Sequence, residues 1–138
     1  MSAPTVLFVC VRNSGKSQIA AALMRQLAGE RVEAHSAGTD PGAALNPLAL
    51  QVLDEVGAPT AGEAPKPIDA ALLERTDVVV VLGREARPRV PEGVPTRHWD
   101  TVEPSRWGVE GIERMRLIRD DINDRIQALL AELETPSA

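Results

Sequence analysis

The sequence has very little cysteine, histidine and aromatic residue. It contains one cysteine, Cys10, two histidines, one phenylalanine, two tryptophans and no tyrosine among 138 residues. One cysteine excludes an internal disulfide and cannot supply a cysteine-rich metal site, so we expect no bound metal. With so few aromatic side chains, the core must be built from Val, Leu, Ile and Ala.

The chain also lacks an excess of basic residues and any long apolar run. Its formal net charge is -5, which excludes recruitment to nucleic acid or an anionic membrane by bulk charge. No apolar run reaches the length needed to cross a bilayer, and the first residues, "MSAPTVLFV", lack the basic start and cleavage pattern of a signal peptide. We expect a cytoplasmic protein with no membrane or nucleic-acid partner, and a monomer by default.

The hydrophobic pattern predicts an α/β protein with a parallel sheet. Unbroken apolar runs such as "TVLFVC" and "VVVVL" are typical of strands that are covered on both faces. Strands are predicted at 5–10, about 31–35, 77–82 and 96–100, and helices at 16–29, 46–57, 68–76 and 108–134. This alternation predicts four parallel strands with helices on both faces. We expect one domain over residues 1–134 and a short tail at 135–138.

The segment between the first strand and first helix, "VLFVCVRNSGKSQIA", is the main functional candidate. Its Gly15-Lys16-Ser17 resembles the end of a Walker A motif, but the glycine that this motif requires five residues earlier is Cys10. A Walker B carboxylate is also missing, because Asp77 precedes the "VVVVL" strand and Gly83 follows it. A nucleotide-binding loop is therefore disfavoured.

The same position favours an oxyanion site that holds a nucleophile. Backbone N–H groups and the helix dipole at a strand-to-helix turn bind oxyanions, and they also favour the thiolate form of a cysteine. Ser17 can donate a hydrogen bond to that thiolate, and Lys16 adds a positive charge. The alternative is a buried structural cysteine. The predicted oxyanion-binding amides are those of Val11, Arg12, Asn13, Ser14, Gly15 and Lys16.

"VLFVCVRNSGKSQIAAAL", together with "HSAGT" at 35–39, resembles the low-molecular-weight protein tyrosine phosphatase family, whose loop runs Cys-x5-Arg-Ser/Thr. The chain is more closely similar to arsenate reductases built on that fold. The resemblance covers nearly the whole chain and implies the strand order 2-1-3-4. In the family a late Asp-Pro pair carries the general acid, and here the corresponding pair is Glu103-Pro104.

Three departures from the family pattern affect the predicted function. Lys16 stands where the family has arginine, so the two-pronged grip of a guanidinium is lost. Arg12 replaces a usual glycine, and its guanidinium either contacts the oxyanion or points to solvent. The additional cysteines through which thioredoxin-coupled relatives shuttle a disulfide are absent.

These departures resemble the arsenate–mycothiol transferase branch, which implies an external thiol and no tightly bound cofactor. Cys10 would attack arsenate, protonated Glu103 would act as general acid, and mycothiol, bacillithiol or a similar thiol would take the arsenic. A glutaredoxin-like mycoredoxin would then complete reduction to arsenite. The alternatives are an aryl or tyrosine phosphatase and a non-catalytic oxyanion-binding module.

The remaining polar and aromatic candidates have both functional and structural interpretations. Asn13 and Ser36 either brace the loop, as their counterparts do in the family, or are ordinary turn residues. Asp100 is the second candidate for the acid, and we expect His35 to be structural. The two tryptophans, Trp99 and Trp107, either wall the pocket or serve plain packing.

Overall fold

A computed structural model describes residues 3–135 and shows one parallel sheet of four strands. The strands run in the order β2-β1-β3-β4, which confirms the predicted fold class and strand order. The predicted tail at 135–138 lies outside the described residues except for Thr135. The strand bounds are β1 (Thr5–Cys10), β2 (Glu33–Gly38), β3 (Val78–Leu82) and β4 (Thr96–Trp99).

The helix bounds differ from the predicted bounds mainly where glycines interrupt the pattern. The predicted helix at 108–134 begins only at residue 111, because Gly108 and Gly111 adopt positive φ angles of 78° and 65°. Residues 104–107, predicted as loop, form a short 3-10 turn, and a similar turn at 29–31 delays β2 to residue 33. The helices are α1 (Lys16–Ala28), α2 (Pro47–Glu55), α3 (Ala70–Glu74) and α4 (Gly111–Glu134).

The two faces of the sheet are covered unequally. Alternate residues of β1 point to opposite faces, so Val6 and Phe8 pack with α1, α2 and α4, whereas Leu7 and Val9 face the other side. That second side is covered by the short helix α3 and by the irregular segment 83–95. One face therefore has three helices and the other has mostly loop, which leaves room for a cavity beside the sheet.

The register brings the carboxyl ends of all four strands to one edge of the sheet. Cys10 pairs with Gly38 of β2, and Leu82 of β3 pairs with Trp99 of β4. Ligands of open parallel sheets bind at this edge. Within residues 3–135 there is no helix with the length and apolarity needed to cross a membrane.

Candidate active site

The loop that joins β1 to α1 turns its carbonyl oxygens outward. Every carbonyl of residues 10–15 accepts a hydrogen bond of 2.8–3.1 Å from a donor in a neighbouring part of the chain that surrounds the loop. Three donors come from the segment after β2, one from the start of α2 and two from α1. In order along the loop they are Thr39 N, Asp40 N, Gly42 N, Gln18 Nε2, Asn46 N and Ile19 N.

Outward carbonyls place the following amides on the inner side of the loop. In a trans peptide the C=O and the next N–H point in opposite directions, and the described chain contains no cis peptide. The N–H groups of residues 11–16 therefore face inward, and the amide of Asn13 donates to Cys10 Sγ at 3.3 Å. No side chain caps the start of α1. This arrangement is a cradle of amides around the sulfur, suited to a tetrahedral oxyanion.

Asn13 holds the middle of the loop in an unusual backbone conformation. It is the only non-glycine residue with positive φ in the described chain, at 53°, and asparagine tolerates that region better than most residues. Its side chain is fully buried: Nδ2 donates to Ser17 Oγ at 2.7 Å, and Oδ1 accepts from the amide of Lys66 and from Gln18 Nε2. Bracing of the loop was one of two interpretations of Asn13 in the sequence, whereas Gln18 and Lys66 were not among the candidates.

Ser17 links Asn13 to the cysteine. Its hydroxyl lies 2.9 Å from Cys10 Sγ and is fully buried. A hydroxyl has one proton to donate, and because Ser17 Oγ already accepts from Asn13, that proton is available for the sulfur. Two donors, the Ser17 hydroxyl and the Asn13 amide, therefore point at the sulfur of Cys10.

The glycine of the "HSAGT" motif, Gly38, is required by close packing against the Cys10 loop. A β-carbon added to Gly38 would lie 2.6 Å from the carbonyl oxygen of Val11, which is a backbone atom and cannot rotate away. The end of β2 therefore approaches the loop more closely than any side chain permits. By contrast, a β-carbon on Gly42 would meet Arg12 at ordinary distances of 3.7–3.8 Å.

Two candidates, Arg12 of the loop and Ser36 of β2, make contacts that the sequence left open. The Arg12 guanidinium donates to Asp40 Oδ2 at 2.8 Å and is more than half exposed, so its charge is paired with a surface carboxylate. The hydroxyl of Ser36 accepts from Lys66 Nζ at 3.4 Å, and Lys66 in turn binds Asn13 through its backbone amide. Ser36 is thus connected to the loop through Lys66 in the part of the chain that the structure describes. Burial of that ammonium group lowers the pKa of Lys66 below its usual value.

Glu103 does not fit the predicted protonated general acid. Its carboxylate accepts two hydrogen bonds from Arg114, at 2.6 and 2.8 Å, and two more from the hydroxyl and amide of Ser105. Hydrogen bonding to Arg114, then to Ser105, holds the pKa of Glu103 far below its ordinary value. The side chain is therefore ionised at neutral pH. Asp100 is no better as a proton donor, because its hydrogen bond to Arg84 lowers its pKa as well.

The loop that carries Glu103 is fixed to α4 at three points. Besides the Glu103–Arg114 pair, the amide of Val102 donates to Asp121 Oδ2, and Arg125 donates to the carbonyl of Asp100. Residues 114, 121 and 125 are separated by seven and four positions, so they lie on one face of the helix. That spacing is the sequence signal that could have revealed this contact.

A cavity of about 230 Å³ lies beside the Cys10 loop, between Lys16 and the Glu103 loop. Lys16 forms no ion pair with any residue in the described range, so its charge is available to an anion. Trp107, which is 69% exposed, lies at the cavity wall, whereas Trp99 is buried and packs against Phe8 with ring centroids 5.9 Å apart. The residues of 3–135 contain no group of three or more potential metal ligands.

The side chain of His35 contacts a neighbouring carboxylate on β2. Its ring Nε2 lies 2.7 Å from Glu33 Oε2, on the surface of β2. Glu33 also accepts a hydrogen bond from Arg75, and both contacts lower the pKa of Glu33. The histidine contacts no residue of the Cys10 loop through a hydrogen bond in the described structure.

Comparison with known proteins identifies relatives over nearly the whole chain. The family model described as low molecular weight phosphotyrosine protein phosphatase matches residues 5–137. "Arsenate reductase 1" of Staphylococcus haemolyticus is 34% identical over 130 residues, covering 92% of this chain and 95% of that protein. "Arsenate reductase" of Bacillus cereus strain Q1 is 35% identical over 126 residues, covering 89% and 91%.

Among solved structures, the thioredoxin-dependent arsenate reductase of Corynebacterium glutamicum superposes with a TM-score of 0.81 at 32% identity. The match covers 96% of this chain and 62% of that protein, so the chain spans less than two thirds of that relative's length.

Proposed function

Because the chain belongs to the low-molecular-weight phosphotyrosine protein phosphatase family, we propose that its cysteine loop acts on arsenate and that the protein is an arsenate reductase. The observation that carries the proposal is the contact between Cys10 Sγ and Ser17 Oγ inside a ring of inward-facing amides. A structural cysteine would need neither a donated hydroxyl proton nor an amide aimed at its sulfur.

Two features favour arsenate over a tyrosine phosphate ester. The chain contains no tyrosine, and one of its two tryptophans is buried against Phe8, so little aromatic surface surrounds the loop. Lys16 supplies a point charge in place of a planar guanidinium. The curated relatives at 34% and 35% identity are both named as arsenate reductases.

The first chemical step forms a bond between Cys10 Sγ and arsenic. The thiolate attacks arsenate held by the loop amides and Lys16, and one arsenic–oxygen bond breaks. That oxygen leaves as water, using a hydroxyl of the substrate and one proton from solvent, because Glu103 is ionised in the described conformation. Glu103 serves instead to hold its loop against Arg114.

The second step needs a thiol that the chain does not contain, since Cys10 is its only cysteine. An external low-molecular-weight thiol, mycothiol or bacillithiol, attacks the arsenic, forms a sulfur–arsenic bond and releases Cys10 as the thiolate. A glutaredoxin-like protein then attacks the sulfur of that adduct. The two thiols become a mixed disulfide, and the electron pair reduces arsenic from the +5 to the +3 state as arsenite.

The test measures arsenite production by the full chain with arsenate, a glutaredoxin-like reductant and one thiol at a time: mycothiol, bacillithiol or glutathione. Arsenite should form with at least one thiol and disappear in Cys10→Ser. A parallel assay follows hydrolysis of an aryl phosphate. Rapid aryl phosphate hydrolysis, with no arsenite from any thiol, would replace the proposal with a phosphatase. Binding of arsenate without either reaction would favour a non-catalytic oxyanion module.

A further inference from the structure

We propose that a cavity beside β4 binds the external thiol, holding the part of that molecule that does not react. The inference rests on the proposed function and names the place where its second substrate binds. The cavity has a volume of about 540 Å³ and lies between the sheet edge and segment 83–95. Its size falls within the range of sites that hold small organic ligands.

The cavity exists because the edge of the sheet is uncovered on one face. Thr96 and His98 of β4 are exposed on the side where α3 and segment 83–95 cover the rest of the sheet. Val81 of β3 forms part of the floor, and Ala86 and Val90 of segment 83–95 form the opposite wall. A helix in this place would fill the space, whereas the irregular segment leaves it open.

The larger cavity adjoins the cavity beside Lys16. Both are lined by Gly83, Arg84 and Asp100, and the ion pair between Arg84 and Asp100, at 2.5 Å, stands where they meet. Cys10 lies one strand away from the end of β3 and two strands away from the end of β4, or about 10 Å from the latter at ordinary strand spacing. A thiol seated in the larger cavity can therefore extend its sulfur toward the arsenic.

The lining suits a polar molecule of modest size. The floor and walls are apolar, while the rim carries Arg84, Arg87, His98 and Asp100. Arg87 is exposed and forms no ion pair with another residue of the described range, so its donors are available to carboxylate or hydroxyl oxygens. This basic rim contrasts with the net charge of -5 for the whole chain.

Segment 83–95 offers a matched pair of variants for the test. Arg87→Glu reverses a charge at the cavity rim, and Arg89→Glu makes the same change in net charge two residues away, outside the lining. We expect Arg87→Glu to raise the KM for the thiol about tenfold and Arg89→Glu to change it less than twofold. Neither variant should alter the KM for arsenate, because the loop amides and Lys16 are untouched.

A second variant tests the space instead of the charge. Thr96→Trp, at an exposed strand position at the far end of the cavity, should obstruct it and raise the thiol KM at least fivefold. Each protein is assayed with the uncharged mycothiol and with bacillithiol and glutathione, which carry carboxylates. Thr96→Trp should act on whichever thiol supports turnover, and Arg87→Glu should act most strongly on an acidic one.

Direct binding separates failure of this inference from failure of the proposed function. In Cys10→Ser protein, an S-methylated thiol should shift the NMR signals of His98 and Trp99, and Arg87→Glu should weaken that shift. Equal effects of Arg87→Glu and Arg89→Glu on KM, or normal KM in Thr96→Trp, would overturn the cavity assignment while leaving arsenate reduction intact. Absence of arsenite from wild-type protein with every thiol would instead overturn the proposed function.

Discussion

Ser17 is the side chain in hydrogen-bond contact with the nucleophile, since its hydroxyl lies 2.9 Å from Cys10 Sγ. It accepts a hydrogen bond from Asn13 and offers its own proton to Cys10, so three side chains separated by only a few residues form one chain of contacts. A hydrogen bond to a charged group contributes about 1.5–3 kcal/mol. The hydroxyl that contacts Cys10 Sγ is fully buried, so water does not compete for its proton.

We expect Ser17→Ala to slow alkylation of Cys10 by iodoacetamide at neutral pH at least about tenfold, because the thiolate loses one of its two donors. Ser17→Thr keeps the hydroxyl and serves as the control, with a smaller effect. Circular dichroism checks that both variants fold. If the alanine variant reacts as fast as wild type, the hydroxyl does not support the thiolate.

At the scale of elements, the end of β2 positions the loop by contact between backbones. Gly38→Ala should clash with the Val11 carbonyl, displace the amide ring and weaken oxyanion binding about tenfold or more. Gly42→Ala is the matched control, since its new β-carbon would meet only ordinary contacts. Affinity for phosphate or arsenate, measured by calorimetry, compares the two. Equal affinities would show that the loop adjusts freely.

The Glu103–Arg114 pair makes the attachment of one loop to α4 depend on pH. The folded-state pKa of Glu103 lies below its unfolded value, so its contribution is complete above about pH 4.5 and is lost as the pH falls further. We expect Glu103→Gln to lower the free energy of unfolding by about 1–2 kcal/mol at pH 7, a modest figure because the pair is partly exposed.

Urea denaturation of wild type and Glu103→Gln between pH 7 and pH 3 measures this contribution. The stability difference should stay constant down to about pH 5 and shrink below it. Glu92→Gln, which removes an exposed carboxylate outside the pair, controls for the change in net charge. A difference that persists unchanged at pH 3 would mean that the pair does not stabilise the fold.

The sequence predicted the elements that short-range patterns determine. The apolar run of β1, the loop from Cys10 to Ser17 and the amphipathic pattern of α4 each contain their own signal within a few residues. The contacts that it missed join distant segments. Lys66 reaches Asn13 across 53 positions from a Pro-rich loop, and Arg114 meets Glu103 through a turn that was predicted as irregular.

The contacts that keep Glu103 ionised in the described conformation could not be predicted from the sequence. Glu103-Pro104 stands where the family has the Asp-Pro pair of the general acid, but whether the carboxyl group is protonated depends on the residues that contact it. Nothing near Glu103 in the sequence shows that Arg114 comes into bidentate contact with it after a 3-10 turn. The cavity beside β4 could not be predicted from the sequence either, because it forms where segment 83–95 leaves part of the sheet edge uncovered.

At the scale of the whole molecule, the Cys10 loop lies between β1 and α1, near the centre of the sheet. Because folding assembles this loop, an anion binds there in the native protein and not in the unfolded chain. A ligand at 100 times its Kd that binds the native protein alone adds about 2.7 kcal/mol to the free energy of unfolding. For a chain of this size we therefore expect arsenate or phosphate to raise the Tm of Cys10→Ser by about 10 °C. The serine variant removes covalent chemistry and leaves the amide ring.

Thermal unfolding with arsenate, phosphate or chloride at equal ionic strength measures this effect. The two tetrahedral anions should raise the Tm and chloride should not, because only a tetrahedral oxyanion can satisfy several inward-facing amides at once. Adding Lys16→Gln should reduce the increase, whereas Arg89→Gln, which removes an exposed cation outside the loop, should leave it unchanged. Equal shifts with chloride and arsenate would mean that the anions act on the net charge of the molecule and not on the Cys10 loop.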